Sequence, residues 1–329
     1  MDQLLLESLR VVALPMKTSF RGITVREVAF IKGEYGWGEF SPFLEYDDLE
    51  SAPWLACAIE AATQPKPKTS RTEVAVNGTI PATNDQKVMD ELVASYPGVK
   101  TYKVKVGNNL SEDIVRLARI RSLGRTVNIR IDVNGLWSVE QALTNLYAFY
   151  ENVGPFEYVE QPCGSIAELR ELKSKLRAPI KIAGDELFRK TPDPFAVEIA
   201  GAIDIMILKA APLGGIRRSL ALAEHHGLPA VISSALESAV GIAHELRLAA
   251  ALPELRYDSG LGTGALFVSD VGSNEISNGS ISLQPLIPSA KSLSNFAALP
   301  ERKTWWQDRI RKTWASGADV WLESEGWKR

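Results

Sequence analysis

The chain has 329 residues, of which 37 are lysine or arginine and 40 are aspartate or glutamate, so its formal net charge of −3 shows no bias toward nucleic acid. No apolar stretch approaches the roughly 18 residues of a transmembrane helix. The acidic start Met1-Asp2-Gln3 is unlike a secretory leader, and two cysteines are too few for a disulfide framework. We therefore expect a cytoplasmic protein with a large core, no nucleic-acid or membrane partner, and no obligate protein partner.

Residues 1–70 predict a small α+β domain. A helix is indicated from Pro53 to Ala62, and the segment Gln64–Ser70, rich in proline and lysine, is typical of a linker. The loops Lys17–Gly22 and Ser41–Tyr46 mix aromatic and charged residues and could cover a neighbouring site. The predicted strands, which form an antiparallel meander, are Leu9–Leu14, Val25–Ile31 and Tyr35–Phe40.

Residues 71–285 alternate between strand and helix patterns. The polar residues that end successive strands lie 24 to 28 residues apart, which is the length of one strand, one helix and two loops. Such βα units build a parallel sheet, and when the sheet closes into a barrel the carboxyl ends of its strands meet at one mouth. We predict a (β/α) barrel whose eighth strand lies near Leu255–Ser259, with a helix at Asp193–Ala200. Serines that could cap barrel helices are Ser111, Ser138 and Ser238.

The tail, residues 286–329, is too rich in tryptophan for a disordered end. We expect it to pack back on the first domain.

Two lysines of one predicted strand face the same space. Lys103 and Lys105 alternate with Val104 and Val106, so both ammonium groups project from one face. Because like charges in a closed site repel, we expect anionic groups opposite them.

Three carboxylates supply that negative charge. Asp132, Glu160 and Asp185 each end an apolar run of strand length, and Lys209 ends a later run in the same way. A set of oxygen ligands without histidine or cysteine favours a hard divalent cation. We therefore predict a Mg²⁺ site, with Mn²⁺ as a possible substitute. Taken singly, Asp132 also fits a turn and Asp185 also fits a helix N-cap.

Lysine and magnesium together indicate proton abstraction next to a carboxylate. A lysine near other cations has its charged form disfavoured, so its pKa falls and it becomes a competent base. A bound cation would neutralise the second negative charge that builds when an α-proton leaves, giving an enediolate. We therefore predict a small-molecule carboxylate substrate.

Further residues are candidates for binding that substrate. Glycine-rich loops after the last strand often bind anions in barrels, although they are also ordinary turns, and the serines after the seventh strand could bind substrate or cap the next helix. The candidate substrate-binding residues are Phe20, Arg21, Asn134, Ser233, Ser234, Gly262, Thr263 and Gly264.

With these motifs in place, the chain resembles the enolase superfamily in its muconate-lactonizing subgroup, and within that subgroup an actinobacterial branch of menaquinone biosynthesis. The resemblance covers nearly the whole chain. Its motifs are Lys103-Val104-Lys105, Asp132-Val133-Asn134, Glu160-Gln161-Pro162, Gly184-Asp185-Glu186, Lys209, Gly38-Glu39-Phe40-Ser41-Pro42, Ser233-Ser234 and Leu261-Gly262-Thr263-Gly264.

The resemblance implies a (β/α)7β barrel under an α+β capping domain that the C-terminal tail completes. It also implies Mg²⁺ bound by Asp132, Glu160 and Asp185. By the same resemblance Lys105 transfers the proton, Lys103 is its partner, and Lys209 lies across the substrate.

The reaction that the resemblance implies is the syn dehydration of 2-succinyl-6-hydroxy-2,4-cyclohexadiene-1-carboxylate to 2-succinylbenzoate. Two alternatives stay open. An N-succinylamino acid racemase or dipeptide epimerase would use the same lysines as two bases, although Asp258-Ser259-Gly260 departs from the Asp-x-Asp of dipeptide epimerases. The second alternative is a barrel that has lost catalysis and serves as a scaffold. The retention of all the polar residues argues against it.

Overall fold

The computed structural model of the chain describes residues 3–107 and 109–318. Its first part is a three-stranded antiparallel sheet in the order β1-β2-β3, followed by a long helix. The elements are α1 (Gln3–Glu7), β1 (Arg10–Phe20), β2 (Ile23–Gly33), β3 (Gly36–Phe40) and α2 (Asp48–Thr63).

The antiparallel meander is confirmed, but β1 is longer than predicted. It runs to Phe20, so most of the segment predicted as the loop Lys17–Gly22 belongs to a hairpin. Arg21 and Gly22 form its turn, both with positive φ, at 53° and 78°. Helix α2 begins at Asp48, five residues before the predicted start at Pro53, because Asp47 accepts a hydrogen bond from Glu50 N and caps the helix.

The second part alternates strand and helix. Its elements are β4 (Glu73–Ala75), β5 (Gly78–Ile80), α3 (Gln86–Ala94), β6 (Thr101–Lys105), α4 (Leu110–Arg121), β7 (Asn128–Asp132), α5 (Val139–Val153), β8 (Tyr158–Glu160), α6 (Ile166–Lys175), β9 (Ile182–Gly184), α7 (Glu186–Arg189), β10 (Ile205–Leu208), α8 (Ala210–Leu213), α9 (Ile216–His226), β11 (Ala230–Ile232) and α10 (Ala239–Ala251).

The seven parallel strands β5 to β11 are neighbours in chain order, and a short eighth segment closes them into a ring. Asn77 N donates to Ser259 O at 2.8 Å, and Gly260 N donates to Ile232 O at 2.7 Å, which joins β5 to β11. The (β/α)7β barrel is therefore confirmed.

The eighth strand is shorter than predicted, because it begins four residues later and ends one residue later. Ladder contacts form only at Ser259 and Gly260. The residue before them is held from inside the barrel, since Arg130 donates to the Asp258 carbonyl at 2.6 Å and Thr101 donates to the Asp258 carboxylate at 2.6 Å. Those contacts replace strand pairing at that point.

The predicted helix Asp193–Ala200 is wrong. Only a single 3₁₀ turn, Pro194–Ala196, forms there. Side chains of helix α9 take carbonyls that a helix would use internally: His226 contacts Pro194 O at 2.9 Å, and His225 contacts Phe195 O at 3.0 Å. Tertiary contacts thus override the local pattern.

Two of the three predicted serine caps are confirmed. Ser138 and Ser238 accept hydrogen bonds from the first turns of α5 and α10. Ser111 is not a cap, because Asn109 fills that position and accepts from Ser111 N at 3.1 Å and Glu112 N at 3.3 Å.

The described C-terminal segment returns to the first domain. The remaining elements are the 3₁₀ turn Gly262–Leu266, β12 (Ile276–Ser277), β13 (Ser280–Ser282), α11 (Ala290–Asn295), α12 (Pro300–Thr313) and a π-helical turn, Trp314–Ala318.

Helix α12 carries most of that docking. Trp306 is fully buried, stacks edge-on against Phe40 at 5.7 Å and donates to Glu27 at 2.9 Å. Arg309 donates to the carbonyls of Phe43 and Tyr46. These contacts support the predicted packing of the tail, of which residues 319–329 lie outside the described residues. The domain boundaries after residues 70 and 285 stay a prediction.

Across the described ranges, we find no helix that has both the length and the apolar character needed to cross a membrane.

Candidate active site

Strand register brings the predicted polar residues to one mouth of the barrel. Lys105 pairs with Asp132 between β6 and β7, and Asp132 pairs with Glu160 between β7 and β8. Asp185 and Lys209 directly follow β9 and β10. Because parallel strands in register end at the same level, the charged groups converge.

The two lysines of β6 both contact the carboxylates. Lys103 Nζ lies 2.7 Å from Glu160 Oε1 and 2.9 Å from Asp132 Oδ2. Lys105 Nζ lies 2.5 Å from Asp132 Oδ2 and 2.5 Å from Asn134 Oδ1. Asn134 has a φ of 54°, a left-handed conformation that asparagine tolerates, and this points its amide into the site.

The third carboxylate is held by two cations from the opposite side. Lys209 Nζ lies 2.6 Å from Asp185 Oδ2, and Arg189 Nε lies 3.2 Å from both Asp185 oxygens. Arg189 also contacts the Tyr46 hydroxyl of the first domain at 3.2 Å. Sequence reasoning missed Arg189, although its position one helical turn after Asp185 is a usable signal.

Burial and mutual charge separate the protonation behaviour of the two lysines. Burial, together with the positive charge of Lys103, lowers the pKa of Lys105 even though Asp132 opposes this. Burial also disfavours the charge of Lys103, but Asp132 and Glu160 outweigh it and raise the pKa of Lys103 well above its usual value. Lys105 is therefore the more competent base of the pair.

The three carboxyl groups of the site also differ in their pKa values. Burial opposes ionisation of Asp132 and Asp185, yet the adjacent lysines hold both pKa values below their usual range. Burial and the negative charge of Asp132 raise the pKa of Glu160 to about 7. A single site thus holds carboxyl groups of unlike acidity, as functional sites often do.

The three carboxylates suit a divalent metal ion. They are almost fully buried, and Glu160 Oε2 has no hydrogen-bond partner among the described residues. An orphaned, buried carboxylate oxygen is costly unless a cation completes it. Asp132, Glu160 and Asp185 could therefore hold such an ion.

The site opens into a pocket between the barrel and the first domain. Phe20 lies 5.8 Å from Lys105 Nζ, and the Arg21 guanidinium stacks on Phe43 at 4.2 Å. Ser234, which follows β11, and Thr263, in the turn Gly262–Leu266, also line the pocket, and their hydroxyl oxygens lie 2.7 Å apart. Other lining residues, which sequence reasoning missed, are Trp54, Thr79, Leu236 and Gly260.

Not every candidate substrate-binding residue reaches this pocket. Phe20, Arg21, Asn134, Ser233, Ser234 and Thr263 line it. Gly262 and Gly264 do not, and they line a separate pocket beside Asp270. They belong to a tight 3₁₀ turn in which only the intervening Thr263 faces the mouth.

Comparison with known proteins places this chain in a family. Residues 11–62 match the family described as "Enolase N-terminal domain-like", and residues 87–284 match "Enolase C-terminal domain-like". A protein named o-succinylbenzoate synthase from Mycobacterium marinum is 49% identical over 311 residues, which are 93% of each chain. One of the same name from Mycobacterium leprae is 48% identical over 93% of this chain and 91% of its own.

A solved structure agrees with the fold. The muconate lactonizing enzyme from Pseudomonas putida superposes with a TM-score of 0.71 at 19% identity, covering 88% of this chain and 98% of its own. Both family descriptions and the curated relatives point to the same group. The chain therefore belongs to the enolase superfamily and, within it, to the o-succinylbenzoate synthase family.

Proposed function

We propose that this protein is an o-succinylbenzoate synthase, a hydro-lyase of menaquinone biosynthesis that dehydrates 2-succinyl-6-hydroxy-2,4-cyclohexadiene-1-carboxylate to 2-succinylbenzoate. Curated relatives named for this activity are nearly half identical over almost the whole chain. The observation that carries the proposal is the pair Lys105 and Lys209 at opposite sides of one pocket, each bound to a carboxylate of the predicted metal set.

The metal of this site would be Mg²⁺, held by Asp132, Glu160 and Asp185, with Mn²⁺ as a possible substitute. When bound, the ion supplies positive charge that favours removal of a proton next to a carboxylate. The oxygen-only donor set and the orphaned Glu160 Oε2 support this assignment.

The residues of the chain account for the rest of the reaction. Lys105, whose pKa burial lowers, takes the proton from the carbon next to the ring carboxylate. Lys209 supplies positive charge that stabilises the enediolate. Protonated Lys105 then gives that proton to the departing hydroxyl on the same face. One C–H and one C–O bond break, one C=C bond forms, and water leaves as the ring becomes aromatic.

One observation also fits a second activity. Lys209 lies across the pocket from Lys105 and could also deliver a proton to the opposite face of a substrate. An N-succinylamino acid racemase or a dipeptide epimerase would use that arrangement. The non-catalytic scaffold is less well supported, because it gives no reason to keep three buried carboxylates together.

The deciding experiment is an assay of purified protein with the cyclohexadiene substrate and Mg²⁺, followed by aromatic absorbance. We expect rapid turnover that exhaustive chelation abolishes and added Mg²⁺ restores. Each enantiomer of an N-succinylamino acid is incubated in parallel in D₂O. Rapid deuterium incorporation from both enantiomers without dehydration would replace the synthase by the racemase, and full activity after chelation would refute the metal.

The cytoplasmic location and the lack of a nucleic-acid or obligate protein partner stay predictions. The proposed reaction calls for the small-molecule substrate and the divalent metal ion, and for no macromolecular partner.

A further inference from the structure

Two glutamate side chains of the first domain contact the N-termini of helices in the barrel domain. Glu39 of β3 ends at helix α10, and Glu60 of α2 ends at helix α9. Both are buried, at 6% and 4% exposure. The first N–H groups of a helix have no partner within it, and its positive end attracts anions, so these contacts are favourable capping interactions.

Glu39 uses both of its oxygens on helix α10. Oε1 accepts from Ser238 N at 3.1 Å and from the Ser41 hydroxyl at 2.7 Å. Oε2 accepts from Gly241 N at 2.9 Å and from the Ser238 hydroxyl at 2.5 Å. Four donors on one carboxylate fix its position.

Glu60 does the same at helix α9. Oε2 accepts from Ile216 N at 2.6 Å, and Oε1 accepts from Arg217 N at 3.1 Å. Cys57 and His244 lie nearby, and the three could in principle hold a metal ion. Since both Glu60 oxygens already accept backbone hydrogen bonds, we assign this carboxylate to the helix instead.

Each helix has a glycine where the carboxylate approaches. A Cβ on Gly215 would stand 1.9 Å from Glu60 Oε2, so any side chain there would displace that carboxylate. A Cβ on Gly241 would stand 2.5 Å from Glu237 Cβ and 2.9 Å from Glu39 Oε2, so a side chain there would displace Glu237 as well as Glu39. These two glycines therefore mark the contacts as close approaches on which the local backbone depends.

Both helix starts are tied directly to the mouth of the barrel. Lys209 is followed by one compact turn, in which Gly215 N donates to Ala210 O at 2.8 Å, and α9 begins at once. Ser234 and Leu236 line the pocket just before α10, and Arg26 of the first domain donates to Leu236 O at 3.1 Å.

We propose that Glu39 and Glu60 are positioning residues: Glu60 sets the place of Lys209 through helix α9, and Glu39 sets the substrate-contacting loop 233–236 through helix α10. Docking of the first domain would then position active-site residues through helices α9 and α10, in addition to covering the pocket. This inference rests on the proposed function for the roles of Lys209 and the loop.

The test compares Glu60→Gln, Glu39→Gln and Glu27→Gln by steady-state kinetics. Glu60→Gln displaces Lys209, so kcat should fall about tenfold with KM nearly unchanged. Glu39→Gln loosens the pocket wall, so KM should rise about tenfold with kcat nearly unchanged. Glu27 is the matched control, because it is a glutamate of the same domain that binds Arg302 and Trp306, away from the barrel. Its variant should lose stability and keep both constants.

Ser41→Ala removes one of the four donors that hold Glu39, so it provides a second route to the same answer if Glu39→Gln fails to fold, and it should raise KM in the same direction. The inference is overturned if Glu39→Gln and Glu60→Gln lose activity only in proportion to their folded fraction, or show the pattern of Glu27→Gln. If the wild type racemises an N-succinylamino acid instead, the same constants are measured with that substrate. Failure of the proposed function thereby stays separate from failure of this inference.

Discussion

In the proposed reaction, Lys105 is the residue on which the chemistry depends most. Its side chain is 15% exposed and lies beside Lys103, and Asp132 contacts both ammonium groups. A charge held beside a second ammonium group destabilises the folded protein, but it also makes Lys105 a better base. Lower stability combined with higher activity is common at catalytic centres.

Replacing Lys105 by alanine should remove activity without unfolding the protein. We expect turnover to fall by about 10³-fold, within the range for loss of a general acid–base group. Asp132 keeps Lys103 as its partner, so the melting temperature should stay within a few degrees of wild type or rise. Circular dichroism melting beside the assay checks both points, and a folded variant with near-normal rate would remove Lys105 from the mechanism.

Lys209 separates a synthase from a racemase. In the dehydration it supplies only positive charge, whereas a racemase needs it to deliver a proton. Lys209→Arg keeps the cation but removes a usable acid, since guanidinium does not deprotonate near neutral pH. We expect Lys209→Arg to retain at least about tenfold more dehydration activity than Lys209→Ala. Equal loss in the two variants would show that proton transfer by Lys209 is required.

At the scale of helices and strands, the regularly spaced strands and the serine caps of α5 and α10 were predictable from the sequence. A segment whose carbonyls are taken by side chains of another helix was not. As predicted, β6 carries Lys103 and Lys105 and β7 ends at Asp132, because the apolar runs and terminal charges of these strands are unambiguous. The prediction of a helix at Asp193–Ala200 failed because side chains of helix α9 take two carbonyls that such a helix would use. No local pattern encodes those partners.

The cap of helix α4 gives a direct test at this scale. Asn109→Ala removes the acceptor for Ser111 N and Glu112 N, so it should lower the free energy of unfolding by about 1 kcal/mol. Ser111→Ala is the matched control, and it should change stability by less than about 0.5 kcal/mol. Urea unfolding of both variants measures the difference. A larger effect at Ser111 than at Asn109 would contradict the assigned cap.

For the whole molecule, the sequence predicted the barrel, the capping domain and the central charged residues, because strand ends in a parallel barrel must converge. It did not predict Arg189, which acts across a short helix, or the carboxylates Glu39 and Glu60, which act between domains. Glu39 lies in the quoted motif Gly38-Glu39-Phe40-Ser41-Pro42, but its partner at Gly241 is 202 residues away. Such pairs become visible only once the domains are docked.

That docking should make stability depend on pH through Glu39. Burial, and then the negative charge of Glu237, raise the pKa of Glu39 to about 7, above the ordinary value near 4.5, while Arg26 and the hydroxyls of Ser41 and Ser238 oppose the shift. The folded state therefore binds a proton more tightly than the unfolded state, and stability from this group is lost as pH rises from about 4.5 through about 7.

The measurement is the free energy of urea unfolding of wild type and Glu39→Gln at pH 5 and pH 8. Glutamine carries no charge at either pH, so wild type should lose about 1 to 3 kcal/mol more than the variant between the two values. Glu27→Gln serves as the control. Hydrogen bonds from Arg302 and Trp306 outweigh the effect of burial and lower the pKa of Glu27, which is then ionised in both states throughout this window, so its difference from wild type should stay flat. Parallel pH slopes for wild type and Glu39→Gln would mean that Glu39 does not titrate between pH 5 and 8, and that the carboxylate at the start of helix α10 is already fully charged at pH 5.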